Sequence, residues 1–282
     1  MAVCKVCFRH CDIREGERGF CGARACRNGA VVADNYGRVT SLALDPIEKK
    51  PLNDFYPGSR ILSVGSYGCN LRCPFCQNHE ISWSDQAFGF RETAHTVTPH
   101  ELVSLAAENI PRGNIGIAFT YNEPLVGYEF VRDCAKLSHE QGMKNVLVTN
   151  GCASLSIFDE LIPWIDAMNI DLKGFTDDYY SGLLGGNRQM VLDFISAAVR
   201  HCHVELTTLI IPGENDGDEE MRDICGFIKG LETENKKNIP LHITRFFPRF
   251  HMTDRDATDV MRLRNLTKIA REQLKIVYLG NC

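Results

Sequence analysis

The sequence predicts an α/β fold: a partial (β/α)6 TIM-like barrel with a small Cys-rich N-terminal extension. Three observations carry this. From residue 60 onward, β-branched apolar runs alternate with amphipathic helical stretches, and strands separated by helices imply parallel βαβ units. Before residue 60 the chain is instead rich in Cys, Gly and Arg. The polar residues suited to chemistry fall just after the strand runs, where barrels place their working groups. A doubly wound open sheet is the other arrangement that this alternation allows.

The elements follow in order. Residues 1–60 form the Cys-rich module, with β-like runs at 29–34 and 38–44, and end in the turn-forming Tyr56-Pro57-Gly58-Ser59. Residues 61–282 form the barrel. Its strand runs lie at 61–66, 115–120, 145–149, 167–172, 204–211, 241–245 and 275–278. Helical stretches lie near 99–109, 125–141, 154–162, 188–201, 218–231 and 256–273. Thr98 followed by Pro99 reads as an N-cap and a first-turn proline.

Composition narrows the function classes. With 44% apolar and 24% charged residues the chain is globular in character. A formal net charge of −5 gives no general attraction to nucleic acid or to anionic membrane. No apolar run reaches the ~18 residues needed to span a bilayer, and the first residues, MAVCKVCFRHCDIRE, lack the apolar core of a signal peptide. A cytoplasmic protein, bound to neither membrane nor nucleic acid, is the expectation.

Cysteine stands out, with 13 residues in 282. Clustered thiols in a reducing compartment point to metal or redox chemistry. Cys134, Cys152, Cys202 and Cys225 are scattered and read as small buried hydrophobes, and Cys282 as an exposed terminal thiol. Directly after the first barrel strand come Cys69, Cys73 and Cys76, spaced C-x3-C-x2-C. A structural zinc site and a [4Fe–4S] cube both take four ligands as a rule, and only His79 follows nearby. Three thiolates on a cube leave one iron open, the mark of a reactive centre. A structural zinc or oxidisable thiols are the alternative. Upstream, Cys4, Cys7, Cys11 and Cys21 offer four thiols in 18 positions, with His10 and Cys26 close by. Zinc, a second Fe–S cluster and no stable metal all stay open there.

With Phe75 just before its third cysteine, this loop resembles the signature of the radical S-adenosylmethionine (SAM) superfamily. Later strand ends agree with the resemblance. Tyr121-Asn122-Glu123-Pro124 stands where the family carries a G-G-E-P-like motif holding the SAM ammonium, with both glycines replaced. Thr149-Asn150-Gly151 matches its T-N-G, and Asp171-Leu172-Lys173 matches the D-L-K of the glycyl-radical activating branch. Pro212-Gly213-Glu214-Asn215-Asp216 resembles that branch's V-P-G-x-x-D turn. The matches span about residues 60–245 and are similar to the pyruvate formate-lyase activating enzyme group. Residues 45–52 (DPIEKKPL) and 76–82 (CQNHEIS) look like the AmmeMemoRadiSam-system radical SAM proteins.

The resemblance implies a [4Fe–4S] cluster on Cys69, Cys73 and Cys76, and SAM contacts from Phe75, Asn122, Glu123, Asn150, Asp171 and His242. It places Asp171 and Lys173 beside the substrate. It further implies reductive cleavage of SAM to a 5′-deoxyadenosyl radical that abstracts hydrogen, fed by a one-electron donor such as flavodoxin or ferredoxin. A glycyl-radical-type protein is the expected substrate. Radical modification of a small molecule or of another protein is the alternative, and a non-catalytic Fe–S electron-transfer protein is the reading from a different class.

Overall fold

Seven parallel strands and one antiparallel edge strand make a single curved sheet in the computed structural model, which describes residues 1–282, the side chains of Phe88 and Arg91 apart. From one edge to the other its strands are Ser41–Pro46, Arg60–Gly65, Asn114–Phe119, Lys144–Thr149, Ala167–Asp171, His203–Ile210, Leu241–Arg245 and Val277–Gly280. Neighbours in the sheet are neighbours in sequence, as right-handed βαβ winding produces. The first and last strands stay unpaired with one another, so the barrel is partial.

Alternation along each strand sorts the side chains onto two faces. Leu62, Val64, Ile117, Phe119, Leu147 and Ile170 pack outward against helix residues such as Leu102, Val131, Ile157 and Phe194, forming the main core. The other face holds a smaller cluster of Ile61, Ala118, Val146 and Ala167, onto which Ile47, Leu52 and Phe55 are packed. The 45–52 segment thus plugs the inner face of the barrel. Asn169 Nδ2 donates to Pro51 O at 2.8 Å and fixes the plug from the strand side.

Helices begin where the sequence signals them. Pro99–Glu108 opens with a full capping box, Thr98 accepting from the Glu101 amide while Glu101 reaches back, a device typically worth about 1 kcal/mol. Arg188–His201 opens on Asn187, whose side chain accepts from Met190 N. Tyr128–Glu140, Leu155–Leu161, Asp218–Asn235 and Val260–Gln273 complete the outer layer, with a short helix, Asp85–Thr93, that the sequence reading lacks.

One strand of the barrel sheet lies before residue 60. Ser41–Pro46 pairs antiparallel with Arg60–Gly65, so the barrel sheet already includes residues assigned to the 1–60 module. Outside the large sheet are three small ladders, one of which joins Arg38–Val39 to His95–Thr96 and two of which lie wholly within the N-terminal region. Ala2–Val3 pairs with Asp12–Ile13, and Arg24–Arg27 pairs with Ala30–Ala33. The second is a hairpin turning on Asn28 (φ 54°) and Gly29 (φ 74°), the two-residue pattern favoured by right-twisted strands. Glu15 accepts from both turn amides. No helix among the described residues is long and apolar enough to cross a membrane.

Candidate active site

The cysteine loop leaves the C-terminal end of Arg60–Gly65, and three other strand ends converge on it. Gly68, at φ 97°, lets the loop touch the N-terminal module: a Cβ there would lie 2.7 Å from both Cys21 O and Ala23 Cβ. Arg9 Nε donates to Asn70 O at 3.0 Å from the same side. Asn70 in turn donates to Cys152 O at 2.7 Å and accepts from Asn150 Nδ2 at 2.9 Å. Asn150 thereby ties the end of Lys144–Thr149 to the loop, and its amide group also points at Cys69 Sγ, 3.8 Å away. Leu71 N donates to the same sulfur at 3.4 Å.

These N–H···S contacts favour a thiolate at Cys69, while burial opposes one at all three positions. Burial pushes Cys73 to about 12, and raises Cys69 and Cys76 as well. A metal centre resolves that conflict, because ligation deprotonates the thiol and supplies the countercharge. The donor set therefore fits an Fe–S group. Among the described residues no three His, Cys, Asp or Glu side chains are placed to share one metal ion. A four-iron cube sets a different demand, since it takes its thiolates on separate iron corners.

Glu123 follows the strand Asn114–Phe119 and is buried, with 3% exposure. Its Oε1 accepts from Thr149 Oγ1 (2.7 Å) and Leu125 N (3.0 Å), and its Oε2 from Asn150 N (2.8 Å). Burial outweighs these three neutral donors and lifts its pKa to about 7, with Asp171 adding like charge. No Lys, Arg or His lies within ion-pair reach of it among the described residues. Asn122, beside it, accepts from Ser66 N at 2.9 Å and donates to Gly68 O at 3.0 Å, locking two strand ends together.

Asp171 ends its strand and pairs with Lys173 Nζ at 2.7 Å. Burial works against the Lys173 ammonium, yet Asp171 and the Cys73 sulfur hold its pKa well above the ordinary value. Asn215, from the PGEND turn, donates to Lys173 O at 2.7 Å. Tyr180 accepts from Lys173 N at 3.1 Å. Phe75 is buried and meets Phe246 edge-on at 6.5 Å. Asn70, Asn78 and Asn215 support the site through backbone groups far away in sequence, Cys152 O, Tyr121 O and Lys173 O, which no local motif shows.

The strand ends thus gather Cys69, Cys73, Cys76, Phe75, Asn122, Glu123, Asn150, Asp171 and Lys173. His242 stands apart. It is the second residue of its strand, before that strand's C-terminal end, with Nε2 2.6 Å from Glu205 and its ring stacked on Tyr278. It is a partner of Glu205 rather than part of the cysteine site.

In the N-terminal module, Cys4, Cys7, Cys11 and Cys21 line one cavity of about 10 Å³, room for a single water-sized particle. Arg9, Arg24 and Asn70 share its walls.

Known proteins resemble this chain in sequence and in fold. An uncharacterized Methanocaldococcus jannaschii protein is 41% identical over 282 residues, covering 99% of this chain and 80% of that one. The pyruvate formate-lyase-activating enzyme of Clostridium pasteurianum is 27% identical over 78% of this chain and 93% of its own. Among solved structures, Streptococcus suis SuiB bound to S-adenosylmethionine shares the fold with a TM-score of 0.56 at 13% identity, over 77% of this chain and 48% of that one. The Radical SAM superfamily model matches residues 63–225, a span that begins in the first parallel strand and takes in the cysteine loop and the ends of the next four strands; the chain belongs to that superfamily.

Proposed function

We propose that the protein is a radical SAM enzyme whose Cys69, Cys73 and Cys76 hold a [4Fe–4S] cluster and whose Glu123 receives the SAM amine. One observation carries the reading: a buried carboxylate with no cationic partner among the described residues stands at the strand end next to a thiol loop already furnished with N–H···S donors. When bound, the cluster supplies the electron that cleaves SAM to methionine and a 5′-deoxyadenosyl radical, which takes hydrogen from the substrate. The chain's own residues bind and orient. Glu123 offers a charge-assisted bond to an ammonium. Asn150 Nδ2 and Leu71 N direct the Cys69 sulfur. Asp171 and Lys173 form a balanced pair beside Cys73, on the side where substrate would meet the strand ends. Cys69 and Cys76 are only half-buried, which supports electron entry from a small donor of the flavodoxin or ferredoxin kind.

We further propose a protein substrate of the glycyl-radical type. The relatives at 27% and 25% identity are named as activating enzymes, of pyruvate formate-lyase and of 4-hydroxyphenylacetate decarboxylase. Cys4, Cys7, Cys11 and Cys21 face one small cavity but are not placed to share a single ion, so a second metal in the N-terminal module would have to draw them together on binding; it is read by whether metal persists in a Cys69/Cys73/Cys76 triple variant and disappears on adding Cys7→Ser.

The main test is anaerobic. Reconstituted protein with dithionite should give a reduced-cluster EPR signal that shifts on adding SAM, and should release 5′-deoxyadenosine. Cys73→Ala should bring the iron at this site to background. A full cluster in Cys73→Ala, or an EPR signal indifferent to SAM in the wild type, overturns the proposal.

A further inference from the structure

Resting on the placement of the SAM amine at Glu123, we propose that Asp45, with Lys50, is a positioning residue for that site and acts on it through Tyr121. Tyr121 lies two residues before Glu123 at φ 73°, in the left-handed region that glycine occupies freely and a bulky residue does not. A non-glycine residue persists in such a conformation only where its surroundings over-determine it. Here three contacts do so. The Tyr121 hydroxyl donates to Asp45 Oδ2 at 2.8 Å. Its carbonyl accepts from Asn78 Nδ2 at 2.8 Å, two residues past Cys76. Its ring lies against Gly65, where a Cβ would come within 2.9 Å.

Asp45 is itself held. Lys50 Nζ donates to the same Oδ2 at 2.7 Å, is only 3% exposed, and sits 5.1 Å from the Tyr121 ring centroid. Burial works to raise the Asp45 pKa, but the bonds from Lys50 and Tyr121 bring it down to about 2, so the acceptor stays ionised. The Asp45-Lys50 pair comes from the plug that closes the barrel's inner face, and Tyr121 spans from that plug to the strand end. Asn122, next along, bonds Ser66 N and Gly68 O, so the backbone from 121 to 123 is pinned on both sides before Glu123 is reached. The brace does by side-chain bonding what a glycine at 121 would do by conformational freedom.

Two substitutions separate this role from mere packing. Tyr121→Phe removes only the hydroxyl and leaves a strained ring without its anchor. Tyr121→Gly removes brace and strain together. The measurement is the SAM dissociation constant of the cluster-loaded protein, with the iron content of each variant as the control. Tyr121→Phe should weaken SAM binding about tenfold, the scale of one lost bond to a charged group. Tyr121→Gly should bind SAM within about threefold of wild type, although it deletes far more contact. If Tyr121→Phe binds as wild type does, or if Tyr121→Gly is the weaker binder of the two, the positioning role is refuted while the SAM site stands. A wild type that binds no SAM refutes both.

Discussion

Two buried glutamates, one at each end of the barrel, are built from similar parts and end in opposite electrostatic states. Glu123 accepts from two backbone amides and a threonine hydroxyl, and burial lifts its pKa to about 7. Glu205 accepts from the amides of Asn53 and Asp54 and lies within 2.9 Å of the imidazoles of His203 and His242. Burial works to raise it too, yet those partners bring it down to about 2. The deciding difference is the set of hydrogen bonds: Glu205 is met by two imidazoles as well as two amides, whereas the three donors to Glu123 do not offset its desolvation. The N-terminal end of the barrel is therefore complete as it stands, closing the plug onto the strands. The C-terminal end keeps a carboxylate whose charge is still unanswered, as a site for a cation would.

This contrast breaks most visibly through stability. Glu205→Gln should destabilise the protein by about 3 kcal/mol, lowering Tm by roughly 6–12 °C, because a buried network loses its central acceptor. SAM affinity should stay within about twofold of wild type. Thermal unfolding and SAM titration on the same preparation check both halves; a loss of SAM binding at unchanged Tm would place His242 and Glu205 back in the cofactor site. The complementary change is Glu123→Gln. It should weaken SAM binding about 10- to 100-fold, the equivalent of 1.5–3 kcal/mol for a bond to a charged group, with the cluster spectrum unaltered. Equal SAM affinity in Glu123→Gln would remove the carboxylate from any role with the amine.

The same two ends show what a sequence conveys. The helix at 188–201 and the strand at 241–245 match their observed bounds, because Asn187 caps one and β-branched periodicity marks the other. Motif residues at strand ends were legible since a strand's C-terminal end is a position in the chain. His242 differs from the motif residues in its strand position, since it is the second residue of a five-residue strand and not the residue that follows its end. Other features depend on contacts that no local pattern carries. The run at 38–44 reads as β-like but gives no sign that Ser41–Pro46 pairs with Arg60–Gly65. Asp218–Asn235 runs past its expected end at 231 because its polar last turn lacks a glycine stop, and ends only at Lys236, φ 54°. Helix Asp85–Thr93 has Gly89 in its middle and weak amphipathicity, and its one local signal is the Ser84 cap followed by Asp85. The left-handed Tyr121 is explained only by Asp45, 76 residues away.

A subtler separation comes from pH. Glu205 has a folded pKa near 2 against an ordinary 4.5, so the unfolded chain binds its proton more readily. Its contribution to stability is fully present above about pH 4.5 and is lost as the pH falls towards 2. Glu123 runs the other way. With a folded pKa near 7, the native state holds the proton more tightly, and ionisation draws stability down as the pH rises from about 4.5 through 7. Denaturant unfolding across pH 3 to 8 should show each limb, and each variant should flatten only one. Glu205→Gln should remove part of the acid rise, and Glu123→Gln part of the decline towards neutrality. Saturating SAM should also flatten the neutral limb in the wild type, since an ammonium at Glu123 stabilises the ionised carboxyl. A neutral limb that persists in Glu123→Gln would mean that another group carries it, and the contrast between the two glutamates would then rest on geometry alone.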